Sequence, residues 1–424
     1  MERYKEYKDS GISWMKDIPS HWEERRIGAL FTDQVFANSD FAYKHAFKFN
    51  YGTLVPKNEI GDEEEFRETY IKYSVLKKND IVINGLNLNY DFVSQRVAIA
   101  PSEGIITSAY LAMRPRQTTN ANYYLYVLKT MDNKKMFHGM GTGIRLTLSF
   151  DELKKQILPA PPIAEQEKIV NYLERKTSSI DAYVAEKEKE LQLLNELKEA
   201  EIANVVTRGL NPNVKMKDYD SLLTDSCPEH WSIMRNKSFL SLTGEKVGDR
   251  ANDYTLLSLT TKGVIVRDVE SGKGKFPKDF DTYQAVKKDE LVFCLFDIDE
   301  TPRTVGLVES EGMVTGAYTA LKVNKSIAIP EYVYYYYLCV DNIKALKPYY
   351  SGLRKTVRAD KFLQIYIPLP PVEEQRAIVT YVEDKCAKVN TLIAELEAEI
   401  EYMKEYKQRL IADCVTGQVN VQNV

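Results

Sequence analysis

Two short segments of the sequence place arginine and threonine beside glycine. They are GMGTGIRLTLS, from Gly139 to Ser149, and YSGLRKTVR, from Tyr350 to Arg358. Glycine lets a backbone approach a phosphate closely, a guanidinium can pair with phosphate or guanine, and a threonine hydroxyl can donate to a phosphate oxygen. The segments therefore predict contacts with nucleic acid, and the alternative is a pair of structural turns with solvated arginines. The candidate residues are Thr142, Arg145, Thr147, Arg354, Lys355, Thr356 and Arg358.

A second pair of segments carries side chains that can contact bases. In INGLNLNYDFVSQR, which ends at Arg96, asparagine and glutamine amides have the chemistry to bond adenine in the major groove. Its counterpart CLFDIDETPRTV, which begins at Cys294, carries carboxylates that could accept from cytosine N4. For both segments a simple polar turn is the alternative. The candidates are Asn84, Asn87, Asn89, Tyr90, Gln95, Arg96, Asp297, Asp299, Thr301 and Arg303.

A lysine-rich segment adds charge without base-reading chemistry. SGKGKFPK supplies Lys273, Lys275 and Lys278, which are interpreted as phosphate contacts or as solvated lysines.

These segments belong to two copies of one unit. PPIAEQEKIV, starting at Pro161, returns as PPVEEQRAIV at Pro370, 209 residues later. The same offset joins PSHW, starting at Pro19, to PEHW at Pro228. Because chance does not keep one register across separate blocks, the sequence predicts an internal repeat of about 209 residues.

Each copy begins with a variable stretch of mixed character. The β-branched runs DIVING (Asp80 to Gly85) and ELVFCLF (Glu290 to Phe296) predict strands. The tyrosine-rich runs NYYLYVLKT and EYVYYYYLCV predict helices whose rings fill an aromatic core. The repeated residues His21 and His230 stand at the entry to strands, and we expect packed, structural histidines there.

A long charged helix follows the double proline in each copy. Proline just before the helix and glutamate in its first turn fit the helix start, and Gly209 and Gly417 fit the ends. Apolar residues at heptad spacing predict two coiled-coil seams on rods of roughly 65 Å. Because the second variable stretch begins where the first helix ends, the two helices are expected to pack antiparallel. Gln166 and Gln375, at the helix starts, are expected to orient a partner or the domain itself.

Composition excludes several classes of function. The net charge is −4, but the acidic excess of the two long helices is larger than that of the whole chain, so the remainder is slightly basic. The five cysteines form no CxxC pair and there are only four histidines, which argues against disulfides and a zinc site and favours a reducing cytoplasm. No GxxxxGK[ST] loop is present, and no Pro-Pro pair follows Asp or Asn as a base-flipping adenine methyltransferase would require. We therefore expect no cofactor, no metal, no membrane span and no catalytic site.

The chain resembles the specificity subunit of type I restriction–modification enzymes. The residues that carry the resemblance are YKDSGISWMKDIPSHW, the paired blocks LPAPPIAEQEKIV and IPLPPVEEQRAIV, and the long helices after them. The resemblance covers essentially the whole chain. It implies a non-catalytic reader of double-stranded DNA, in which each variable part is a target-recognition domain for one half of a bipartite site.

The resemblance also implies an architecture and a set of partners. The expected α+β fold has two tandem mixed α/β recognition domains joined by two long antiparallel coiled-coil helices, related by a pseudo-twofold. The domains are residues 1–160 and 210–369, and the helical parts are 161–209 and 370–424 with the tail. Two methyltransferase subunits and the restriction–translocation subunits would be the partners, in a bacterial or archaeal cytoplasm beside the nucleoid. A competing hypothesis is an assembly scaffold or decoy that holds partner proteins and binds no DNA.

Overall fold

The chain divides into two units, and the long helices contribute to both. Unit 1 comprises Met1–Glu188 and Ala398–Val424, and unit 2 comprises Lys189–Glu397. The computed structural model describes residues 2–33, 35–58, 63–88, 95–141, 146–267, 280, 282–353 and 355–422. Both units mix strands and helices, so the predicted α+β class is confirmed.

Unit 1 contains the first twelve strands. They are β1 (Tyr7–Asp9), β2 (Asp17–Pro19), β3 (Glu23–Arg26), β4 (Phe31–Thr32), β5 (Phe47–Asn50), β6 (Thr53–Pro56), β7 (Ser74–Leu76), β8 (Ile81–Ile83), β9 (Val97–Ile99), β10 (Gly104–Ile106), β11 (Leu111–Pro115) and β12 (Ile157–Ala160). The helices that begin in this unit are α1 (Ile27–Leu30), α2 (Glu63–Tyr70), α3 (Ala121–Asn133), α4 (Phe150–Leu153) and α5 (Ile163–Arg208).

Unit 2 repeats the plan with the next twelve. They are β13 (Met216–Asp218), β14 (Ser226–Pro228), β15 (Ser232–Arg235), β16 (Leu240–Leu242), β17 (Leu257–Thr260), β18 (Gly263–Val266), β19 (Gln284–Val286), β20 (Leu291–Phe293), β21 (Val305–Leu307), β22 (Gly312–Val314), β23 (Thr319–Val323) and β24 (Tyr366–Leu369). Its helices are α6 (Pro330–Asn342), α7 (Ala359–Phe362) and α8 (Val372–Val415), with short 3-10 turns at Asn236–Ser238, Gly248–Asp253 and Lys347–Tyr349.

The strand pairing follows the same scheme in each unit. A four-stranded antiparallel sheet has the order β4-β11-β8-β9 in unit 1 and β16-β23-β20-β21 in unit 2. The strand just before each long helix pairs with the strand that follows the PSHW or PEHW block, as β12 with β3 and β24 with β15. The repeat seen in the sequence is therefore also a repeat of topology.

The elements predicted from sequence pattern are present. The strands expected in DIVING and ELVFCLF are β8 and β20, and every residue of both is buried. The tyrosine-rich runs form α3 and α6, with Tyr123, Tyr124, Tyr332, Tyr336 and Tyr337 at most 1% exposed. The long helices begin directly after the proline pairs, and Gly209 follows α5 with a φ of 74° that only glycine adopts at low cost.

Within each unit, segments of the two long helices run antiparallel. In unit 1, Lys407 Nζ lies 2.6 Å from Asp181, and Lys404 Nζ lies 2.8 Å from Glu188. Residues further along α5 therefore contact residues earlier in α8, as expected for antiparallel helices. In unit 2 the same trend joins Lys198 to Asn390, at 3.0 Å, and Glu201 to Tyr381.

The repeated glutamate fixes each helix start to its own unit. Glu165 Oε1 accepts from Trp22 Nε1 at 3.0 Å and Oε2 lies 2.9 Å from His21 Nε2. In unit 2 Glu374 makes the same pair of contacts, at 3.1 Å with the Trp231 indole and 2.7 Å with the His230 ring. The predicted packing of the histidines is wrong, because their side chains are half exposed, at 50% and 46%. Their role as partners of the glutamate is structural.

The neighbouring glutamine joins the helix start to the tyrosine-rich helix. Gln375 is fully buried, its Oε1 accepts from Ile329 N at 2.8 Å, and its Nε2 donates to the carbonyls of Pro370 and Ile327. In unit 1 Gln166 accepts from Asn120 N at 3.3 Å and donates to the Pro161 carbonyl at 2.8 Å. Of the two predicted roles, these bonds favour orientation of the domain itself.

The end of the opposite helix is also held within each unit. The Tyr123 hydroxyl donates to the carbonyl of Val415 at 2.9 Å, and the Tyr332 hydroxyl donates to that of Val206 at 3.0 Å. Carbonyls in the last turn of a helix have no intrahelical partner, so these tyrosines satisfy them. Gly417, with a φ of 73°, lies so close to Pro19 that a Cβ there would collide with the proline ring. Each unit therefore holds the start of one long helix and the end of the other.

Candidate nucleic-acid interface

In each unit the two predicted DNA-contacting segments meet. Leu148 N donates to the carbonyl of Gly85 at 3.0 Å, which joins the glycine- and arginine-bearing segment to the loop after β8. In unit 2 Val357 N donates to the carbonyl of Leu295 at 2.8 Å, in the loop after β20. A Cβ at Gly85 would lie 2.8 Å from Cβ of Leu148, so the close approach in unit 1 requires glycine. We call each such pair of segments a loop pair.

Both loop pairs carry backbone strain at equivalent places. In unit 1 Asn87 has a φ of 53° and Leu146 a φ of 41°, and in unit 2 Asp297 has 47° and Lys355 has 46°. Positive φ is costly for residues with a Cβ, most of all for leucine and lysine. Such strain persists only where surrounding contacts impose it, and it concentrates at functional sites. Positive φ also recurs at Asn79 and Asp289 and at Lys135 and Lys344, but only in the loop pairs does it fall where two predicted DNA-contacting segments meet, which makes the loop pairs the leading candidate site.

Arg96 does not face solvent, and its predicted contact with DNA is wrong. The residue is 1% exposed, and its guanidinium donates to the carbonyls of Asn84 at 3.0 Å, Leu86 at 2.8 Å and Asn87 at 3.4 Å. Its length and its fork of donors let it bond several carbonyls of a curved loop at once. Arg96 therefore shapes the loop after β8 from the inside.

A buried aspartate on each tyrosine-rich helix supports the same loop. Asp132 Oδ2 accepts from the backbone N–H of Arg96 at 2.6 Å, and Asp341 Oδ2 accepts from that of Thr304 at 3.0 Å. Burial raises the pKa of the Asp132 carboxyl, and the hydrogen bond from Arg96 acts in the opposite direction. The sequence analysis missed both residues, although the Asp-Asn pairs that end α3 and α6 recur at the repeat offset.

In unit 2 this support becomes an ionic network. Asp341 accepts from Arg303 Nη1 at 3.2 Å, from Thr304 Oγ1 at 2.6 Å and from Lys344 Nζ at 2.7 Å. Lys344 also donates to the carbonyl of Thr301 at 2.8 Å, and the Thr301 hydroxyl donates to the carbonyl of Asp297. The predicted DNA contacts of Arg303 and Thr301 are therefore corrected to loop support, since the arginine side chain is 17% exposed and paired with a buried carboxylate.

The remaining described candidates lie on the surface of the loop pairs. Asn87 and Thr147 are exposed in unit 1, and Asn84 is half-buried with its Oδ1 accepting from Leu86 N at 3.3 Å. In unit 2 Lys355 and Arg358 are exposed and Thr356 is half-buried. Eight candidates lie outside the described residues: Asn89, Tyr90, Thr142, Arg145, Lys273, Lys275, Lys278 and Arg354.

Electrostatics at the loop pair of unit 2 centre on Asp299. Its carboxylate accepts from Lys355 Nζ at 3.0 Å and from the Tyr350 hydroxyl at 3.0 Å, and Lys347 Nζ lies 3.8 Å away. The hydrogen bond from Lys355 lowers the pKa of Asp299, and that from Tyr350 adds to the effect. Burial, together with Asp299, raises the pKa of Tyr350 to about 12. At neutral pH Asp299 is therefore an anion and Tyr350 keeps its proton.

Neither a metal site nor a membrane-spanning helix is found in the described residues. Within the described ranges no group of three or more His, Cys, Asp or Glu side chains is arranged to hold a metal ion. Across the same residues, no helix combines the length and the apolar character that crossing a membrane demands.

The fold and the loop pairs define a duplicated α+β protein that presents one strained pair of surface loops on each unit. The chain belongs to the family of type I restriction modification DNA specificity domains, whose model matches residues 19–193 and 309–402.

Two relatives similar in sequence to this chain, one over its full length and one over part of it, are both named specificity subunits of type I restriction enzymes. The type I restriction enzyme MjaVIII specificity subunit of Methanocaldococcus jannaschii is 22% identical, covering 100% of this chain and 99% of that protein. The type I restriction enzyme EcoBI specificity subunit of Escherichia coli is 23% identical over 65% of this chain and 61% of that protein.

Solved structures share the fold. A chain from a study of complex assembly and conformational transition in the type I R-M system has a TM-score of 0.67 at 14% identity, covering 95% of this chain and 99% of that one. The HsdS subunit from Thermoanaerobacter tengcongensis has a TM-score of 0.50 at 13% identity, covering 96% and 100%.

Proposed function

We propose that this protein is the DNA-specificity subunit of a type I restriction–modification system and that each unit reads one half of a bipartite site. The observation that carries the proposal is the recurrence, in each unit, of a loop after a buried strand beside a glycine- and arginine-bearing segment, with backbone strain at equivalent positions. Strained, solvent-facing loops on a rigid sheet are well suited to recognition. The base-facing side chains differ between the copies, which supports two different half-sites.

The recognition domains are residues 1–160 and 210–369, and the helices of the parts 161–209 and 370–424, the latter including the C-terminal tail, act as a coiled-coil spacer. DNA half-sites recur along a helical axis, so a spacer of fixed length converts the distance between half-sites into a geometric code. Two methyltransferase subunits and the restriction–translocation subunits are the partners we propose, and the catalytic steps are theirs. The protein itself contributes sequence selection.

The test is to map N6-methyladenine across the genome in cells that hold this chain with its methyltransferase and in cells that lack only this chain. A single split motif that disappears with the chain is the expected result, and it would identify both half-sites. If no methylated motif disappears, binding is measured next. A chain that binds the methyltransferase but shows no salt-dependent binding of DNA would favour the scaffold or decoy instead.

The arginines of the two segments provide a residue-level prediction. Arg145→Ala and Arg354→Ala are each expected to lower methylation of the cognate site about 10- to 100-fold, because a bidentate contact with guanine or phosphate is worth roughly 1–3 kcal/mol. Methylation rates of a duplex bearing the mapped site measure the effect, and co-purification of the methyltransferase shows that assembly is intact.

Matched controls separate this contact from a general loss of charge. Arg116→Ala and Arg250→Ala remove one exposed arginine from unit 1 and unit 2 respectively, away from the loop pairs in sequence, and should change methylation less than threefold. If the controls and the loop variants behave alike, the assignment of Arg145 and Arg354 is wrong.

A second prediction concerns the spacer. Seven residues inserted in register after Glu188 in α5 and after Glu397 in α8 preserve the heptad phase of both helices and lengthen each by about 10.5 Å. The methylated motif should keep both half-sites and gain about three base pairs between them, at about 3.4 Å per base pair. The same insertion in one helix alone should abolish methylation. An unchanged spacer in the double insertion would contradict the role of the helices in spacing.

A further inference from the structure

Three donors of unit 2 converge on one carboxylate. Asp299 lies in the loop after β20, and its Oδ1 accepts from the Tyr350 hydroxyl while its Oδ2 accepts from Lys355 Nζ, both at 3.0 Å. Lys347 Nζ lies 3.8 Å from Oδ1. All three donors come from the short segment 347–355, on the other side of the loop pair. The carboxylate therefore links the two segments that we propose to contact DNA.

Backbone hydrogen bonds hold the described residues on both sides of Arg354. The backbones of Ser351 and Thr356 exchange two hydrogen bonds, at 2.9 and 3.2 Å, which fixes these two residues against each other. Lys355 between them takes a positive φ, and a 3-10 turn over Lys347–Tyr349 precedes them. The ammonium and phenol groups on this segment already meet around one anionic group, Asp299, and phosphate oxygens accept from the same donors as a carboxylate does.

The contact with Asp299 is easily exchanged. The lysine side chains remain 61% and 51% exposed, for Lys347 and Lys355 respectively. Exposed ion pairs add little to stability because water and salt screen them. A duplex phosphate has a further advantage, since its binding to lysine releases condensed counterions. DNA can therefore displace the carboxylate.

We propose that Tyr350, Lys347 and Lys355 form a site for a DNA backbone phosphate and that Asp299 occupies this site in the DNA-free protein, which suppresses binding to non-cognate DNA. The inference rests on the proposed function and adds a specificity-determining residue to it. When a phosphate enters, like charge expels the carboxylate, and the loop after β20 must shift with it. Only a cognate half-site offers that loop a new partner, such as the amino group of cytosine or adenine.

The sequence of the first copy lacks the residues of this proposed phosphate site. At the repeat offset, the positions of Lys347, Tyr350 and Lys355 are taken by His138, Gly141 and Leu146. Glycine and leucine donate no side-chain hydrogen bond, so unit 1 lacks this donor set. We therefore expect Asp299 to influence only the half-site read by unit 2.

The test compares Asp299→Asn with Glu300→Gln in the full chain assembled with its methyltransferase. Glu300 is exposed and adjacent, so its change removes the same charge but leaves the hydrogen bonds from Tyr350 and Lys355 to Asp299 in place. Binding of a random-sequence duplex is measured between 50 and 200 mM salt, a range typical of such titrations. Asp299→Asn should tighten non-cognate binding about tenfold at the lowest salt and steepen the salt dependence by about one to two phosphate contacts, whereas Glu300→Gln should change affinity less than twofold.

The substitution Lys355→Ala tests whether the gain in binding depends on this lysine. Lys355→Ala should remove most of the gain in the Asp299→Asn background but have little effect in the otherwise unchanged protein, because there Asp299 occupies the lysine. Equal effects of Asp299→Asn and Glu300→Gln, or weaker binding by Asp299→Asn, would overturn the proposal and leave the DNA-reading function standing. Absence of salt-dependent binding in every form, the unchanged protein included, would overturn both.

Discussion

Replacing Asp341 by alanine is expected to destabilise unit 2 by about 3–5 kcal/mol, the usual cost of breaking a buried charge pair by removal of one partner. The carboxylate is 3% exposed and accepts from Arg303, Lys344 and Thr304, through both the backbone and the hydroxyl of the threonine. Its loss would leave one partly buried guanidinium and one partly buried ammonium without their counterion. The loop after β20 would lose its support.

Urea denaturation monitored by hydrogen–deuterium exchange can assign the loss to one unit. Peptides from α6 and from the loop after β20 should exchange at lower urea in Asp341→Ala, and peptides from α3 should be unaffected. Asp132→Ala is the matched variant in unit 1. We expect a smaller loss of stability from Asp132→Ala than from Asp341→Ala. The described hydrogen bond of Asp132 comes from a backbone N–H, whereas Asp341 accepts from two cationic side chains. Equal costs for the two aspartates would show that the ionic network adds nothing.

Replacing Gln375 by leucine is expected to cost at least about 3 kcal/mol. The side chain is fully buried and bonds the N–H of Ile329 and the carbonyls of Pro370 and Ile327. Leucine has a similar volume but leaves one buried and two partly buried backbone groups without this partner, and each unsatisfied group costs about 1–3 kcal/mol when fully buried. The first turn of α6 should open, because Ile329 is its N-cap residue.

Thermal unfolding of the full chain measures the total effect, and exchange of the amides at the start of α6 locates it. Gln375→Glu keeps the acceptor for Ile329 and should cost less than leucine. Gln166→Leu tests the same position in unit 1, where the bond to the Asn120 N–H is longer, at 3.3 Å, so we expect a smaller loss. Unchanged stability in Gln375→Leu would mean that water replaces the amide in the interior.

The strands and helices of this fold could be predicted from sequence because their apolar residues are regularly spaced and because the chain contains each unit twice. The buried strands β8 and β20, the tyrosine-rich helices and the starts of the long helices were each expected from local residue types. The same elements were predicted separately from the residues of each copy, and the two predictions agreed. The positive φ of Gly209 is a property of the local backbone, so the end of α5 could be predicted from sequence, whereas the close approach of Glu374 to Gly209 could not.

The candidate site was predicted by segment but not by side chain. Both segments do meet in each unit, yet Arg96 and Arg303 bond loop carbonyls and a buried aspartate instead of facing solvent. Composition cannot separate these roles, because the donors that fit a phosphate also fit a carbonyl or a carboxylate. The deciding partners, Asp132 and Asp341, lie 36 and 37 residues further along the chain from Arg96 and Thr304. Only the fold brings them together.

The division of the chain fixes an order of events on the ribosome. Unit 2 is one continuous stretch, Lys189–Glu397, whereas unit 1 needs Ala398–Val424 as well as the first 188 residues. Unit 2 can therefore close while its last helical turns leave the exit tunnel, although the chain of unit 1 was made first. Until then the site on Tyr123 that receives the Val415 carbonyl is open, and so is the surface of Pro19 that receives Gly417. A chain that ends at residue 397 and has been released from the ribosome should thus carry a complete second unit and a first unit that chaperones and proteases can still reach.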